Sequence, residues 1–173
     1  MQKRMKRVLG LIALFHSCSS FAQGGGSSTF EATMGAGYLG ISRSASQFDI
    51  APGLQFVPFS SLSWLQIGAE ATYQNISFRG GSTSDVMILA GITANVGPVM
   101  NDAFFISLGP AFRSGLTDAV DESTPDPSGT GFYFFTGKRF TISGGFTLRP
   151  TIGVVSCGTT GMVFRPFAVS LLF

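Results

Sequence analysis

Apolar and polar residues alternate with a period of two along most of this chain. In residues 85–97, for example, Val86, Ile88, Ala90 and Ile92 all fall on one parity. Strict alternation is typical of β-strands whose two faces meet different environments, whereas helices show a period near 3.6. No comparable helical pattern occurs in the segments that alternate, so the sequence predicts an all-β protein.

Eight strands are predicted, separated by segments rich in Gly, Pro, Ser, Asn and Asp. They span residues 29–42, 47–57, 63–74, 85–97, 103–114, 130–136, 139–155 and 162–173. Short turns alternate with longer connections, which is a property of up-and-down outer-membrane barrels. The short turns include 58–62, 97–102 and a tight turn at 137–138, and the long loops include 75–84, 115–129 and 156–161.

The residues between the apolar positions, which form the second parity of the alternation, distinguish a membrane barrel from a soluble sheet. A soluble sheet covers its solvent face with large charged side chains, but here that parity carries mostly small or uncharged residues. It includes Thr33, Gly35, Gly37, Gln66, Gly68, Thr72, Gly91, Thr93, Asn95, Ser107, Gly109 and Thr147. Small side chains suit the lumen of a barrel of about eight strands. The apolar parity then faces lipid, with Ala69, Ile92 and Leu148 expected near mid-bilayer.

The composition agrees with a membrane protein, because 45% of the residues are hydrophobic, 12% are charged and 18 are Phe. Beyond the N-terminus no apolar run reaches the roughly 18 residues that a transmembrane helix needs. A closed barrel is the other structure that satisfies all backbone polar groups in lipid. We therefore predict an eight-stranded antiparallel up-and-down transmembrane β-barrel. A soluble periplasmic β-sandwich is the alternative fold.

The N-terminus has the pattern of a secretory signal peptide over residues 1–22, followed by a flexible leader (23–28) and the barrel (29–173). Four basic residues precede a short apolar segment, and small residues precede a cleavage point after Ala22. Cys18 would indicate a lipoprotein, but the residues before it match that motif poorly. We expect export to the outer membrane of a Gram-negative bacterium.

Removing residues 1–22 takes away four of the eleven Lys and Arg and none of the nine Asp and Glu, which leaves a net charge of −2. This charge gives no indication of nucleic-acid binding. His16, the single His, is removed as well, so a Ser nucleophile has no His to accept its proton. We therefore predict no catalytic residues and no cofactor.

No metal site is predicted either. The third loop holds four acidic residues, but their spacing does not match a Ca²⁺ loop. A solvated surface is expected there, with weak divalent binding as the alternative. Cys157 is predicted to be a free thiol in the fourth loop.

Five charged residues fall on the inward parity, namely Asp49, Glu70, Asp85, Arg113 and Arg149. Charges in a narrow, low-dielectric lumen must pair, because an isolated one is costly to bury. We predict an ion-pair cluster that plugs the outer half of the barrel, with Glu70 bound to Arg113 and Arg149 at its centre. Separate hydration of each charge by lumen water is the alternative.

The C-terminal segment 167–173 alternates and ends in Phe. Its apolar positions are Phe167, Val169, Leu171 and Phe173. With the signal peptide and the eight strands, this segment resembles the small outer-membrane barrels of the OmpA/OmpX/OmpW type. The resemblance implies that these four residues are the signal read by the outer-membrane assembly machinery, and that outer-membrane lipid and lipopolysaccharide surround a monomer. We expect no peptidoglycan-binding domain of the kind that follows the barrel in OmpA.

The favoured function is a non-enzymatic barrel with a structural, envelope-integrity or surface-contact role. The alternative is a narrow channel or a conduit for small hydrophobic molecules, which would use Met87 and Leu89 on the inner face of the fourth strand. The pattern identifies no ligand or surface partner.

Overall fold

A computed structural model describes residues 30–42, 45–78, 81–97, 99–116, 128–157 and 159–173. The predicted signal peptide, the leader and residues 117–127 of the third loop lie outside these ranges. The expectations for cleavage after Ala22, for Cys18 and for the acidic residues of that loop therefore stay predictions.

The described residues form a single antiparallel sheet of eleven strands. The strands are β1 (Phe30–Ser42), β2 (Ala45–Phe56), β3 (Leu65–Phe78), β4 (Gly81–Val96), β5 (Phe104–Gly115), β6 (Gly129–Lys138), β7 (Phe140–Ser143), β8 (Phe146–Leu148), β9 (Thr151–Cys157), β10 (Thr159–Arg165) and β11 (Val169–Leu172). Short 3₁₀ helices at Ser60–Leu62 and Met100–Asp102 connect β2 to β3 and β4 to β5. The prediction of an all-β, antiparallel, up-and-down architecture is confirmed.

The order of the strands across the sheet is β10-β9-β6-β5-β4-β3-β2-β1-β11-β8-β7. β1 to β6 follow one another as neighbours, and β11 pairs with the other edge of β1, where Glu31 lies opposite Leu172. The sheet curls far enough for β10 to contact β1 as well. One face is thereby enclosed, and we call the space inside it the lumen.

The number of strands differs from the prediction at the C-terminal end. The segment 139–155, predicted as one strand, contains β7, β8, most of β9 and a turn at Gly144–Gly145. Both glycines have positive φ, 52° and 80°, as a two-residue hairpin turn requires. The turn predicted at 137–138 was wrong, because both residues continue β6. The pairing of β7 with β8 places the turn at Gly144–Gly145 instead.

Two prolines coincide with the other interruptions. Pro150 separates β8 from β9, and Pro166 follows the last residue of β10. Proline has no N–H to donate to a strand ladder, so strands commonly stop or bulge at it. The predicted strand 162–173 is therefore divided into β10 and β11.

Burial alternates along the strands as the sequence predicted. Apolar side chains on the outer face are exposed, such as Leu54 at 52% and Phe132 at 59%. Polar residues on the inner face are buried, such as Gln66 at 0% and Thr93 at 3%. Soluble proteins have the opposite arrangement, so this sheet has an apolar outside and a polar inside.

Exposed aromatic side chains mark one rim of the sheet, where Phe30 contacts Phe56 and stacks on Phe173 with ring centroids 5.9 Å apart. Lys138 lies over the Phe104 and Phe140 rings at the same rim. Among the described residues, no helix is long and apolar enough to cross a membrane.

Candidate functional site in the lumen

Eight of the ten charged residues in the described ranges point into the lumen. They are Glu31, Asp49, Glu70, Asp85, Arg113, Arg139, Arg149 and Arg165. The other two, Asp102 and Lys138, form a partly exposed pair at 3.4 Å on the rim. Four carboxylates thus face four guanidinium groups, and the formal charge of the described lumen is zero.

The first group lies near the aromatic rim and is centred on Glu31. Its carboxylate is fully buried and accepts hydrogen bonds from Arg139 Nε at 2.9 Å and Nη2 at 2.5 Å. Gln66 donates a third bond at 3.0 Å. Arg139 is fully buried too, and it also donates to Asn95 and Gln66. Both carboxylate oxygens of Glu31 and all three guanidinium nitrogens of Arg139 therefore have a protein partner.

Arg149 is the second cation near Glu31, with its Nε 3.7 Å from the carboxylate. The central carbon of its guanidinium lies 4.2 Å from the centroid of the Phe105 ring. Glu31 therefore balances one of two arginines, and this end of the lumen carries an excess positive charge.

The second group has the opposite excess. Arg165 donates to Asp49 at 2.7 Å, to Glu70 at 2.6 Å and to the Thr72 hydroxyl at 3.1 Å. Thr72 in turn donates to Glu70 at 3.1 Å. One guanidinium group thus binds two carboxylates, which leaves this second group with an excess negative charge. The first and second groups together have a formal charge of zero.

The third pair, Arg113 with Asp85 at 2.5 Å, joins the neighbouring strands β5 and β4. Gln74 accepts a longer bond from Arg113 at 3.5 Å. This pair is neutral by itself.

The structure places all five predicted lumen residues inside but changes their partners. Glu70 binds Arg165, whereas Arg113 binds Asp85 and Arg149 approaches Glu31. The predicted centre of Glu70 with Arg113 and Arg149 was therefore wrong. The turn at Gly144–Gly145 puts Arg149 near the aromatic rim, beside Glu31. Arg113 lies near the other end of β5, beside Asp85.

Sequence reasoning missed three members of the network. Glu31 and Arg139 lie on the inward parity, so the alternation could have identified both. Arg165 could not be found in this way, because the break at Pro166 changes which parity faces inward. Val163 and Arg165 are buried before the break, and Ala168 and Ser170 are buried after it.

Apolar and hydroxyl side chains occupy the space between the charges. Met87, Leu89, Ala111, Tyr133, Phe135, Val155, Cys157 and Val163 form one buried cluster. Thr93 and Tyr133 contact the Ser107 hydroxyl at 3.0 and 3.3 Å. One cavity in the described part of the lumen, lined by Arg149 and Glu70 among other residues, measures about 20 Å³, which is room for about one water molecule.

Cys157 was predicted to be a loop thiol, and this was wrong. It ends β9 with 1% of its surface exposed, and its Sγ lies 3.0 Å from the Gly129 carbonyl oxygen. The predicted fourth loop is short because β9 ends at Cys157 and β10 begins at Thr159.

The four residues of the predicted assembly signal lie at or beside the closing strand. Phe167 is 77% exposed and Leu171 only 4%, although Leu171 lies in register with the outer-face residues Ala32 and Phe146. Phe173 exchanges two backbone hydrogen bonds with Phe30, each 2.9 Å long. The C-terminal residue is thereby joined to the first residue of β1.

No group of three or more potential metal ligands occurs in the described part of the chain. The lumen instead offers matched ion pairs, hydroxyl groups and packed side chains. These contacts join strands across the curled sheet.

No protein-family model matches this sequence, and no curated protein sequence matches it. Among solved structures, the chain is similar to the outer membrane protein Ail of Yersinia pestis, whose backbone structure was determined in a phospholipid bilayer nanodisc. The two are 8% identical, with a TM-score of 0.49 over 84% of this chain and 99% of Ail. A likeness this distant assigns neither a family nor a function.

Proposed function

We propose that this protein is a non-enzymatic, eight-stranded outer-membrane β-barrel with a closed lumen, which serves envelope integrity or surface contact. The observation that carries the proposal is the inverted polarity of the sheet. Eight charged side chains of the described ranges point inward with a total formal charge of zero, and large apolar side chains such as Phe104 and Phe132 are about 60% exposed. An apolar outer face is stable in lipid and would aggregate in water.

The count of eight is supported by the continuity of the registers. Gly131 lies opposite Cys157 and Phe140 lies opposite Leu148, so β6 and β7 pair with β9 and β8 along one hairpin. Similarly, β9 pairs with β10 and β8 with β11, with an offset of one residue at the break near Pro166. The last six segments thus count as three strands, which follow β1 to β5.

A closed lumen favours a structural role over transport. Met87 and Leu89, the residues that a hydrophobic conduit would use, are 3% and 1% exposed and pack against other lumen side chains. A cavity of about 20 Å³ admits no solute larger than water. The charges are also paired, so an ion crossing the lumen would have to displace buried ion pairs.

The non-enzymatic part of the proposal rests on the chain's chemistry. After Ala22 the sequence has no His, so the hydroxyl groups near the lumen, such as Ser107, lack the usual general base. Lys138 lies at the aromatic rim over two Phe rings, whereas Ser107 lies opposite Phe135 further along the strands.

The membrane and its assembly machinery are the proposed partners, and the monomer is the proposed state. The signal-peptide pattern of residues 1–22 supports export, and the C-terminal strand that pairs with β1 supports recognition by the assembly machinery.

Two measurements test the proposal. The full chain is expressed with its signal peptide and the membranes are fractionated. Electrophoretic migration is then compared with and without boiling. We expect the protein in the outer-membrane fraction with migration that changes on boiling, and a soluble protein with unchanged migration would refute the barrel.

Planar-bilayer recording of the purified protein tests the closed lumen. We expect no stable single-channel steps. Large and regular steps would refute the closed lumen and favour the channel.

A further inference from the structure

One boundary between strands in the sheet lacks a backbone ladder. β1 is hydrogen-bonded to β11 from Glu31 to Met34, but β10 pairs with β9 alone within the described chain. β10 nevertheless lies beside β1, because a Cβ added to Gly37 would be 2.7 Å from the Phe164 carbonyl oxygen. We call this boundary, between β1 from Gly35 onward and β10, the seam.

The side chain of Arg165 crosses the seam on the lumen side. Arg165 is 1% exposed and is the last residue of β10. A Cβ added to Gly35 would be 2.9 Å from its Cδ, so the side chain lies directly across β1. Its guanidinium then binds Asp49 on β2 at 2.7 Å and Glu70 on β3 at 2.6 Å.

From these contacts we propose that Arg165 is a latch that holds the seam closed, and that the barrel opens sideways at the seam when the latch is released. Separating any other pair of neighbouring strands requires breaking a ladder of backbone hydrogen bonds. Among the described residues, the hydrogen bonds that cross the seam are those of one guanidinium group. Burial strengthens these bonds while both partners are present. When one partner is missing, the buried charge that remains is unpaired and strongly unfavourable.

The other lumen ion pairs do not share this geometry. Arg113 and Asp85 join β5 to β4, whose ladder runs from Asp85 opposite Gly115 to Val96 opposite Phe104. Arg113 therefore provides a matched control of the same charge, in the same lumen, away from the seam. The proposal rests on the barrel of the proposed function, and the experiment separates the two.

Disulfide trapping in lipid vesicles tests the latch. Cys157 is first replaced by Ser, which removes the native thiol. The seam pair is Ala36→Cys with Phe164→Cys, on the outer face of β1 and β10. The control pair is Met34→Cys with Val169→Cys, which lie opposite one another in the β1–β11 ladder. The rate of disulfide formation is measured for each pair with and without Arg165→Gln.

We expect Arg165→Gln to slow disulfide formation in the seam pair by about tenfold or more, since a buried carboxylate pair without its cation is strongly unfavourable. The control pair keeps its rate, and Arg113→Gln changes neither pair. Asp49→Asn combined with Glu70→Gln removes the partners of the latch and leaves Arg165 in place. This double variant slows the seam pair as well, and it serves as the test where Arg165→Gln does not fold.

An unchanged seam rate in both latch variants would overturn the proposal, and so would a seam pair that fails to form a disulfide with Arg165 in place. Equal slowing by Arg113→Gln would also overturn it, because the effect would then follow from any lost lumen cation. Failure of the Met34–Val169 control pair would instead refute the β1–β11 closure on which the proposed barrel rests.

Discussion

The Glu31 carboxylate offers the sharpest test of the lumen network. It is fully buried, accepts two hydrogen bonds from Arg139 and one from Gln66, and lies 3.7 Å from Arg149. Glu31→Gln keeps the shape of the side chain but removes the only carboxylate among these contacts. Arg139 and Arg149 then lose the carboxylate that they share, and removing one partner of a buried pair costs about 3–5 kcal/mol. We expect the free energy of unfolding to fall by that amount.

Two further variants calibrate this value. Asp102→Asn breaks the exposed pair with Lys138, and we expect a loss of about 0–1 kcal/mol. Arg149→Gln leaves Glu31 its two bonds from Arg139 and restores a balance of one cation to one anion. It loses the contact with the Phe105 ring, so we expect a loss of about 1–2 kcal/mol. The predicted order is therefore Glu31→Gln, then Arg149→Gln, then Asp102→Asn.

Urea unfolding in lipid vesicles measures these differences. Trp64 is the single Trp of the chain and is 51% exposed at the aromatic rim, so its fluorescence reports transfer between lipid and water. Migration without boiling provides a second probe of folding. A Glu31→Gln variant within about 1 kcal/mol of the unmodified protein would show that the charges are hydrated separately, and the reasoning from paired burial would fail.

Three other outcomes are expected. Ala69→Arg and Ile92→Arg, on the outer face, should each destabilise the folded protein by about 2–4 kcal/mol. Cysteine scanning across 89–94 should show lipid exposure at every second residue, and a continuous profile would contradict the assigned faces. Deleting Phe173, which exchanges two backbone bonds with Phe30, should sharply reduce outer-membrane assembly without reducing export, and normal assembly would refute the role of the C-terminal strand. Cys157, at 1% exposure, should react with a water-soluble maleimide in urea but not in the folded protein, and rapid labelling of the folded protein would show that β9 ends elsewhere.

The sequence by itself determined the class of fold and which residues face outward. Strand side chains alternate between two faces by geometry, so the parity of Leu54, Ile92 or Phe132 can be read without knowing any neighbour. The small inward residues and the five inward charges follow from the same rule. The local pattern was sufficient to assign each residue to the inner or the outer face wherever a strand continued without interruption.

The interruptions and the partners were decided by the tertiary structure. Both 137–138 and Gly144–Gly145 contain a glycine suited to a turn, and the pairing of β7 with β8 selected the second. The break at Pro166 reversed the inward parity and brought Arg165 inside, which alternation cannot predict. Partner choice among eight lumen charges depends on which side chains meet across the curled sheet. Glu70 thus binds Arg165 and Glu31 binds Arg139, because ion pairing acts through space between strands that are far apart in sequence.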